Sequence, residues 1–305
     1  MIHRLTVPGG WLDAQQLDGQ LSRQLAGRPA DAAIELHLGQ DTRLSIGACV
    51  RLLSFLQALE ANGTTVSVHG LSTWGLGSYL DRIGFFGLLG PGIAFRRVGP
   101  IGQFDDRRGD HPHLVELVAV AVSGARDAAL PSKLADRVAA CVLPEHREAL
   151  GATAFTFFAE LIDNIRLHSQ STRPGLVALQ VYAPTAGVRR MVEVVVSDAG
   201  AGVLATLRPA LAIDRPALAA MSDEDLLLYA VNKGASRHGS EAGCGITQST
   251  LKVLRRVDPE VSLRVPELRL TLAPGANGYA ITDQRRPPAL FPLPGTHWVA
   301  RYALD

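Results

Sequence analysis

Between Ala32 and Ile83 short apolar runs alternate with longer stretches of helical periodicity. AAIELHL (Ala32 to Leu38) and TTVSVHG (Thr64 to Gly70) have the length and side-chain character of strands, whereas Ser45 to Asn62 and Leu71 to Ile83 read as helices. In IGACVRLLSFLQALEANG, Val50, Leu53, Leu56 and Leu59 recur every three residues and Asn62-Gly63 supplies a stop, so the spacing predicts an amphipathic helix covering one face of a sheet. This is a βαβα rhythm. From Pro100 to His113 the chain turns polar and charged (FDDRRGDHPH), a linker composition. The expected division is therefore 1–99, a linker over 100–113, and a second unit over 114–305.

The second unit opens with helical sequence from Leu114 to about Arg126 and from Ser132 to Cys141, giving leading helices over 114–144. A long helix is expected from about Glu145 to His168. LVALQVYAP (Leu176 to Pro184) and RRMVEVVVSD (Arg189 to Asp198) read as strands, and a Gly-rich turn with helical stretches reaches about Arg256. Strands near SLRV, LRLTLAP, GYAITD and THWVARYAL close the pattern. The expected fold class is α/β followed by α+β, the second unit having helices packed on a mixed, mostly antiparallel sheet.

A chain of 305 residues, 47% hydrophobic and 19% charged, has room for one large domain or two ordinary ones with buried cores, which excludes a disordered or fibrous protein. Thirty basic against 29 acidic side chains leave a net charge of +1. No global field then draws the protein to nucleic acid or an anionic membrane, and the pairs Arg107-Arg108, Arg189-Arg190, Arg255-Arg256 and Arg285-Arg286 are dispersed, without interleaved aromatics. Cys49, Cys141 and Cys244 form no CxxC pair, and no His spacing suggests a zinc site, so they read as reduced thiols of a cytoplasmic protein. The first residues lack an apolar signal core, and no apolar run reaches the roughly 18 residues of a membrane span. Neither secretion nor membrane insertion is expected.

Three clusters carry candidate chemistry. In FTFFAELIDNIRLHSQS, Glu160, Asn164 and His168 fall at i, i+4 and i+8 and stack along one stripe of an otherwise apolar helix. In isolation such a stripe reads most simply as a solvated face. Asp198 ends an apolar strand and is followed by Gly200 and Gly202, placing a carboxylate able to receive a base amino group beside backbone that admits close approach. The alternatives there are a plain Gly-rich turn, or a GxGxxA dinucleotide turn made by Gly200, Gly202 and Ala205. The latter lacks a second strand ending in an acid about 20 residues on. The third cluster is SRHGSEAGCGITQSTLKVLRR, where Gly239, Gly243 and Gly245 precede a helix starting near Ile246, with Lys233 and Arg237 close by. Free N–H groups at such a helix start suit an anion, and a surface loop is the competing reading. No GxxxxGK[ST] P-loop occurs.

The order and spacing of these clusters, with the closing PGTHWVARYAL, resemble the N, G1, G2 and terminal GT boxes of the GHKL (Bergerat-fold) ATPase superfamily over about residues 145 to 305. Glu-Leu-Ile-Asp-Asn followed by His-Ser looks most like anti-sigma-factor serine kinases; sensor histidine kinases usually lack the Glu. The resemblance implies ATP and Mg²⁺ as cofactors. It makes Asn164 the Mg²⁺ ligand, Glu160 the group that orients or deprotonates the nucleophile, and Asp198 the reader of the adenine amino group, supported by Thr296 through water. Gly200 and Gly202 would shape the adenine pocket, and Lys233, Arg237, Gly239, Gly243 and Gly245 would belong to the phosphate lid. Two features depart from the pattern: the lid box reads Gly-Cys-Gly-Ile-Thr rather than GxGLG, and no second-domain lysine of the gyrase kind is seen.

From about Ala32 to Leu89 the chain resembles a STAS domain of the anti-sigma-antagonist type. Where antagonists carry Asp-Ser-Ser-Gly, this chain has Leu44-Ser45-Ile46-Gly47, so Ile46 stands at the usual phosphoacceptor; Ser45 could substitute as acceptor, and a helix N-cap is its simpler reading. Together the resemblances imply a cytoplasmic signalling protein that is an anti-sigma-like serine kinase or an ATP-gated partner switch. Its expected partners are ATP, a protein of STAS or sigma-factor type and a second copy of itself, without nucleic acid or membrane. The alternatives are an ATP hydrolase driving a conformational cycle and a non-catalytic ATP-binding scaffold.

Overall fold

Strands with alternately buried residues arrange the protein in layers. The computed structural model describes residues 1–29, 31–71, 75–97, 114–123, 127–142, 144, 147–183, 190–233 and 259–303. The first sheet is parallel, in the order β1 (Ile2–Val7), β3 (Ala33–Leu38), β5 (Val66–Leu71), β6 (Ile93–Arg97). Short strands β2 (Gly10–Leu12) and β4 (Thr42–Leu44) pair with each other. Parallel neighbours need crossovers, and helices α1 (Ala14–Leu25), α2 (Ile46–Ala61) and α3 (Leu76–Arg82) lie between these strands in sequence. Leu5, Ile34, Leu36, Val66 and Val68 are buried in one core with residues of α1 and α2, while the alternating Arg4, Glu35, His37, Ser67 and His69 keep contact with solvent.

Both long helices begin on a cap. Asp13 accepts from Gln16 N at 2.8 Å while Gln16 returns a bond to Asp13 N at 2.9 Å, a capping box that starts α1. Ser45 caps α2 by accepting from Ala48 N at 3.1 Å.

The second sheet has seven strands in the order β12 (Gly278–Arg285), β11 (Leu268–Gly275), β10 (Glu260–Val265), β13 (His297–Ala303), β9 (Met191–Ser197), β8 (Gly175–Tyr182), β7 (Leu114–Val120). Each neighbouring pair is antiparallel, so the expected mixed sheet is purely antiparallel among the described residues. One face carries Val177, Leu179, Val192, Val194, Val196, Leu263 and Leu270, packed in a core with α4 (Leu130–Cys141), α5 (Arg147–His168) and α8 (Asp223–Lys233). Two further helices, α6 (Val203–Asp214) and α7 (Pro216–Ala219), precede α8.

Residues 114–120 correct the helix expected from Leu114. Leu114, Leu117 and Val118 have helical spacing, yet Val115, Val118 and Val120 are β-branched and the segment pairs with β8 as an edge strand. The leading helices over 114–144 therefore reduce to one strand and α4.

The other face of the seven-stranded sheet is covered by the first unit. Leu176, Ala178, Val195 and Val299 join the core of α1, α2 and the parallel sheet. Helix α2, expected to cover one sheet, lies between two: twelve of its sixteen residues are buried, among them Arg51 and Ser54 on the side a one-sheet helix would give to water. The layers thus run parallel sheet, helices, antiparallel sheet, helices.

Charge is buried with this junction. Asp18 of α1 lies among Arg51 of α2, Arg264 of β10 and Arg269 of β11; it bonds directly to Arg264 Nη1, with Arg51 Nε at 3.4 Å and Arg269 Nη1 at 3.8 Å. Arg264 also donates to Phe291 O and sits over that ring at 4.3 Å. Fully buried Glu193 of β9 accepts from Ser45 Oγ at 3.1 Å, Tyr182 Oη at 3.0 Å and Arg301 at 2.9 Å, and Arg301 continues to Asp13 at 2.9 Å. Among the described residues no helix is long and apolar enough to cross a membrane.

Candidate functional site

Apolar strand β9 ends at Ser197, and the next residue, Asp198, sits at its carboxyl end against the segment leading into β13. The two segments are joined there: Asp198 N donates to Thr296 O at 3.0 Å, and Thr296 N returns a bond to Asp198 Oδ2 at 3.1 Å. Asp198 Oδ1 accepts from Gly200 N at 2.8 Å. Thr296 Oγ1 accepts from Val203 N at 2.9 Å, which fastens the first turn of α6. The carboxylate is thus oriented by backbone donors rather than by a cation. Burial pushes the Asp198 carboxyl above its ordinary value, while hydrogen bonds from Gly200 and Thr296 oppose the rise. Each carboxylate oxygen keeps lone-pair capacity for a further donor.

The turn after Asp198 requires its glycines. A Cβ on Gly200 would lie 1.7 Å from Ser169 O, and Gly202 has φ +83 with Pro266 Cδ 2.6 Å from where its Cβ would be. This close approach links two of the sequence clusters. Ser169 follows the last turn of α5, and its carbonyl accepts from Ala201 N at 3.2 Å. Asn164 and Glu160 precede Ser169 by five and nine residues, roughly 8 and 14 Å along the helix axis.

Phe157, Phe158, Leu161, Ile162 and Ile165 bury α5 against the sheet, leaving Glu160 and Asn164 half-buried on its flank. Neither makes a side-chain hydrogen bond to another described residue. Burial pushes the Glu160 carboxyl up to about 7, with the nearby Asp163 adding to the rise. A carboxyl in that range suits a general base near neutral pH.

The structure therefore brings Asp198, Gly200, Gly202 and Thr296 together at the carboxyl end of β9 and ties that turn through Ala201 to Ser169, while Asn164 and Glu160 lie further back along α5. Lys233 is elsewhere on the fold: it is the exposed last residue of α8, whose Asn232 bonds Tyr279 N and O of β12, at the sheet edge opposite β7. Arg237, Gly239, Gly243 and Gly245 lie outside the described residues, as does the side chain of His168.

Ser45 is buried, and its hydroxyl is used twice, accepting from Ala48 N and donating to Glu193. Ile46 beside it is also buried, with its N–H bonded to Tyr182 Oη at 2.8 Å. The cap reading of Ser45 holds.

Sequence reasoning missed Ser169 and Gly295. Their role is spatial: a Cβ on Gly295 would lie 1.9 Å from Asp198 O, and only the PGT run preceding β13 hinted at a tight crossing. It also missed the convergence of Glu35, His37 and His69, which strand pairing brings together from separate segments. Compared with protein-family models, curated proteins and solved structures, the chain finds no match in any of the three.

Proposed function

We propose that the protein is a signalling protein that binds Mg·ATP in a GHKL-type site at the carboxyl end of β9. In this reading the second unit is a Bergerat-fold domain and the first a STAS-like regulatory module. It acts as an anti-sigma-like serine kinase or an ATP-gated partner switch.

The observation that carries the proposal is Asp198. It is a buried carboxylate with two backbone donors, no cationic partner among the described residues, and a fixed link through Ala201 and Ser169 to the helix bearing Glu160 and Asn164. Such a group fits the exocyclic amino group of adenine, which supplies the missing donor. The uncommitted side-chain oxygen of Asn164 is a hard ligand suited to Mg²⁺. When bound, Mg²⁺ neutralises phosphate charge. Glu160 is then placed to take a proton from the attacking group, Gly200 and Gly202 keep the pocket floor free of side chains, and Thr296 holds Asp198 in position. Arg237, Gly239, Gly243 and Gly245 are assigned to the phosphate side on the sequence resemblance, whereas Lys233, at the β12 edge of the sheet, is not.

The position of the first unit bears on regulation. It covers the sheet face opposite α5 and meets the surroundings of the proposed site through α2, where Ser54 Oγ lies 3.4 Å from Ser197 Oγ and Gln57 O accepts from Arg173, in the connection that follows Ser169. Control by the STAS-like half would act through these contacts.

Titration calorimetry with Mg·ATP tests the proposal. The native chain is expected to bind in the micromolar to submillimolar range, and Asp198→Asn and Asn164→Ala each to abolish binding. Absence of binding by the native chain at millimolar ATP refutes it. The fate of the γ-phosphate, moved to a protein serine, released or retained, then separates kinase, hydrolase and switch.

A further inference from the structure

We propose that Glu35, His37 and His69 form a binding site for a divalent transition-metal ion of the Zn²⁺ class on the open face of the parallel sheet. The site is built by strand register. β3 and β5 run parallel with His37 opposite His69 and Glu35 opposite Ser67, so residues of one pleat face are brought side by side. One ligand atom from each of the three residues lies within 4.8 Å of the others, and all three residues are half-buried, so the ligands reach solvent. The imidazoles stack with centroids 4.6 Å apart and planes 8° from parallel. His37 Nε2 and Glu35 Oε2 are 3.3 Å apart, already the roughly 3.3 Å that two ligands span around a tetrahedral zinc with bonds near 2 Å. The ligand atoms are at most 4.8 Å apart, so a rotation of the His69 side chain that moves its ring nitrogen by up to about 1.5 Å closes the third position. Two imidazoles and a carboxylate suit Zn²⁺, Ni²⁺ and Cu²⁺ rather than Mg²⁺ or Ca²⁺.

Around the cluster, Arg4 Nη2 lies 3.1 Å from Glu35 Oε2 and Ser67 Oγ 3.0 Å from His69 Nε2. Three protein ligands leave a coordination position for water or for a donor from another molecule.

This inference does not depend on the ATP reading, because its residues lie on the first unit and its ligands are of a different chemical class. The test uses the full chain without nucleotide. Calorimetry with Zn²⁺ is expected to show one equivalent bound at micromolar concentration, weakened at least tenfold by His37→Asn and by His69→Asn. With one equivalent of Cu²⁺, electron paramagnetic resonance is expected to show two nitrogen donors, reduced to one in either variant. Both histidines stand on a solvent-facing sheet surface, and circular dichroism checks that the variants keep the native fold; if either does not, Glu35→Gln carries the same comparison. Lack of Zn²⁺ binding at about 1 mM, or binding of native strength in the folded variants, overturns the proposal.

Discussion

Replacing Asp18 with asparagine removes one negative charge from a site where the surrounding charges are positive and buried. Asp18, Arg51 and Arg264 are almost wholly shielded from water, and Arg269 is 5% exposed. Burial pulls the Arg51 guanidinium down to about 9 even with Asp18 opposing the shift. The asparagine would keep the shape and one acceptor for Arg264 but cancel none of the charge. Breaking a buried ion pair by neutralising one partner costs about 3–5 kcal/mol. Unfolding entropy near 2.1 cal/mol/K per residue amounts to roughly 0.6 kcal/mol/K over 305 residues, so the melting temperature should fall by about 5–8 °C. Differential scanning calorimetry measures this directly. Because the cluster joins α1 and α2 to β10 and β11, both units should melt in one transition that moves as a whole. A companion variant, Asp18→Asn with Arg264→Met, should recover part of the loss, since one of the three orphaned guanidinium charges is then removed. A shift under about 2 °C, or two transitions of which only one moves, would refute the reasoning that this charge cluster welds the units together.

Three further outcomes follow from the site. Glu160 acts as a base only when ionised, so with its carboxyl raised to about 7, turnover of ATP should rise as pH increases through 7, and Glu160→Gln should abolish that limb in a pH–rate profile. His297 is held neutral, pushed well below its usual 6.5 by burial and by Arg51 and Arg264; below pH 6.5 the unfolded chain takes up a proton that the native state refuses. Stability should therefore decline as pH falls from 6.5, and urea titrations of His297→Gln should show a flatter decline. Gly200→Ala sets a methyl against Ser169 O at 1.7 Å, so it should displace the turn and abolish ATP binding in calorimetry while circular dichroism stays near native.

How much of this was legible from the chain depends on which neighbour each residue meets. The valine-rich apolar run in MVEVVVS identified β9, and the glycines after Asp198 marked the turn, because both signals are local. The destination of the alternate residues was not local. Glu193, Arg264, Arg269 and Arg301 are charged residues within strands, yet they lie beneath α1 and α2, satisfied by Ser45, Asp18 and Asp13 from the other half of the chain. Arg51 in α2 misled for the same reason: a helix between two sheets loses its one-sided pattern. The edge position of β7 left it with one neighbour, so its helical spacing competed with its valines on near-equal terms. Strands β1, β2 and β4 went unread because their short patterns are stabilised by parallel pairing with distant segments, and helix α1 went unread although its Asp13–Gln16 capping box is a local signal. The Glu160–Asn164 stripe was visible; its link to Asp198 through Ser169 was not, since it rests on a glycine that admits a carbonyl.

The place of β13 in the sheet also has a consequence for the time course of translation. Strands β7 to β9 and β10 to β12 form two consecutive antiparallel blocks, and β13 lies between them as their connection. At roughly 5–20 residues per second, the ribosome delivers His297 about 5–20 s after Ser197. Through that interval Glu193 has no Arg301, Asp198 has no Thr296, and the two blocks have no shared hydrogen bonds. A nascent chain that has passed β12 thus carries a sheet in two parts, and the proposed ATP site closes only when the strand made after the other six enters between them.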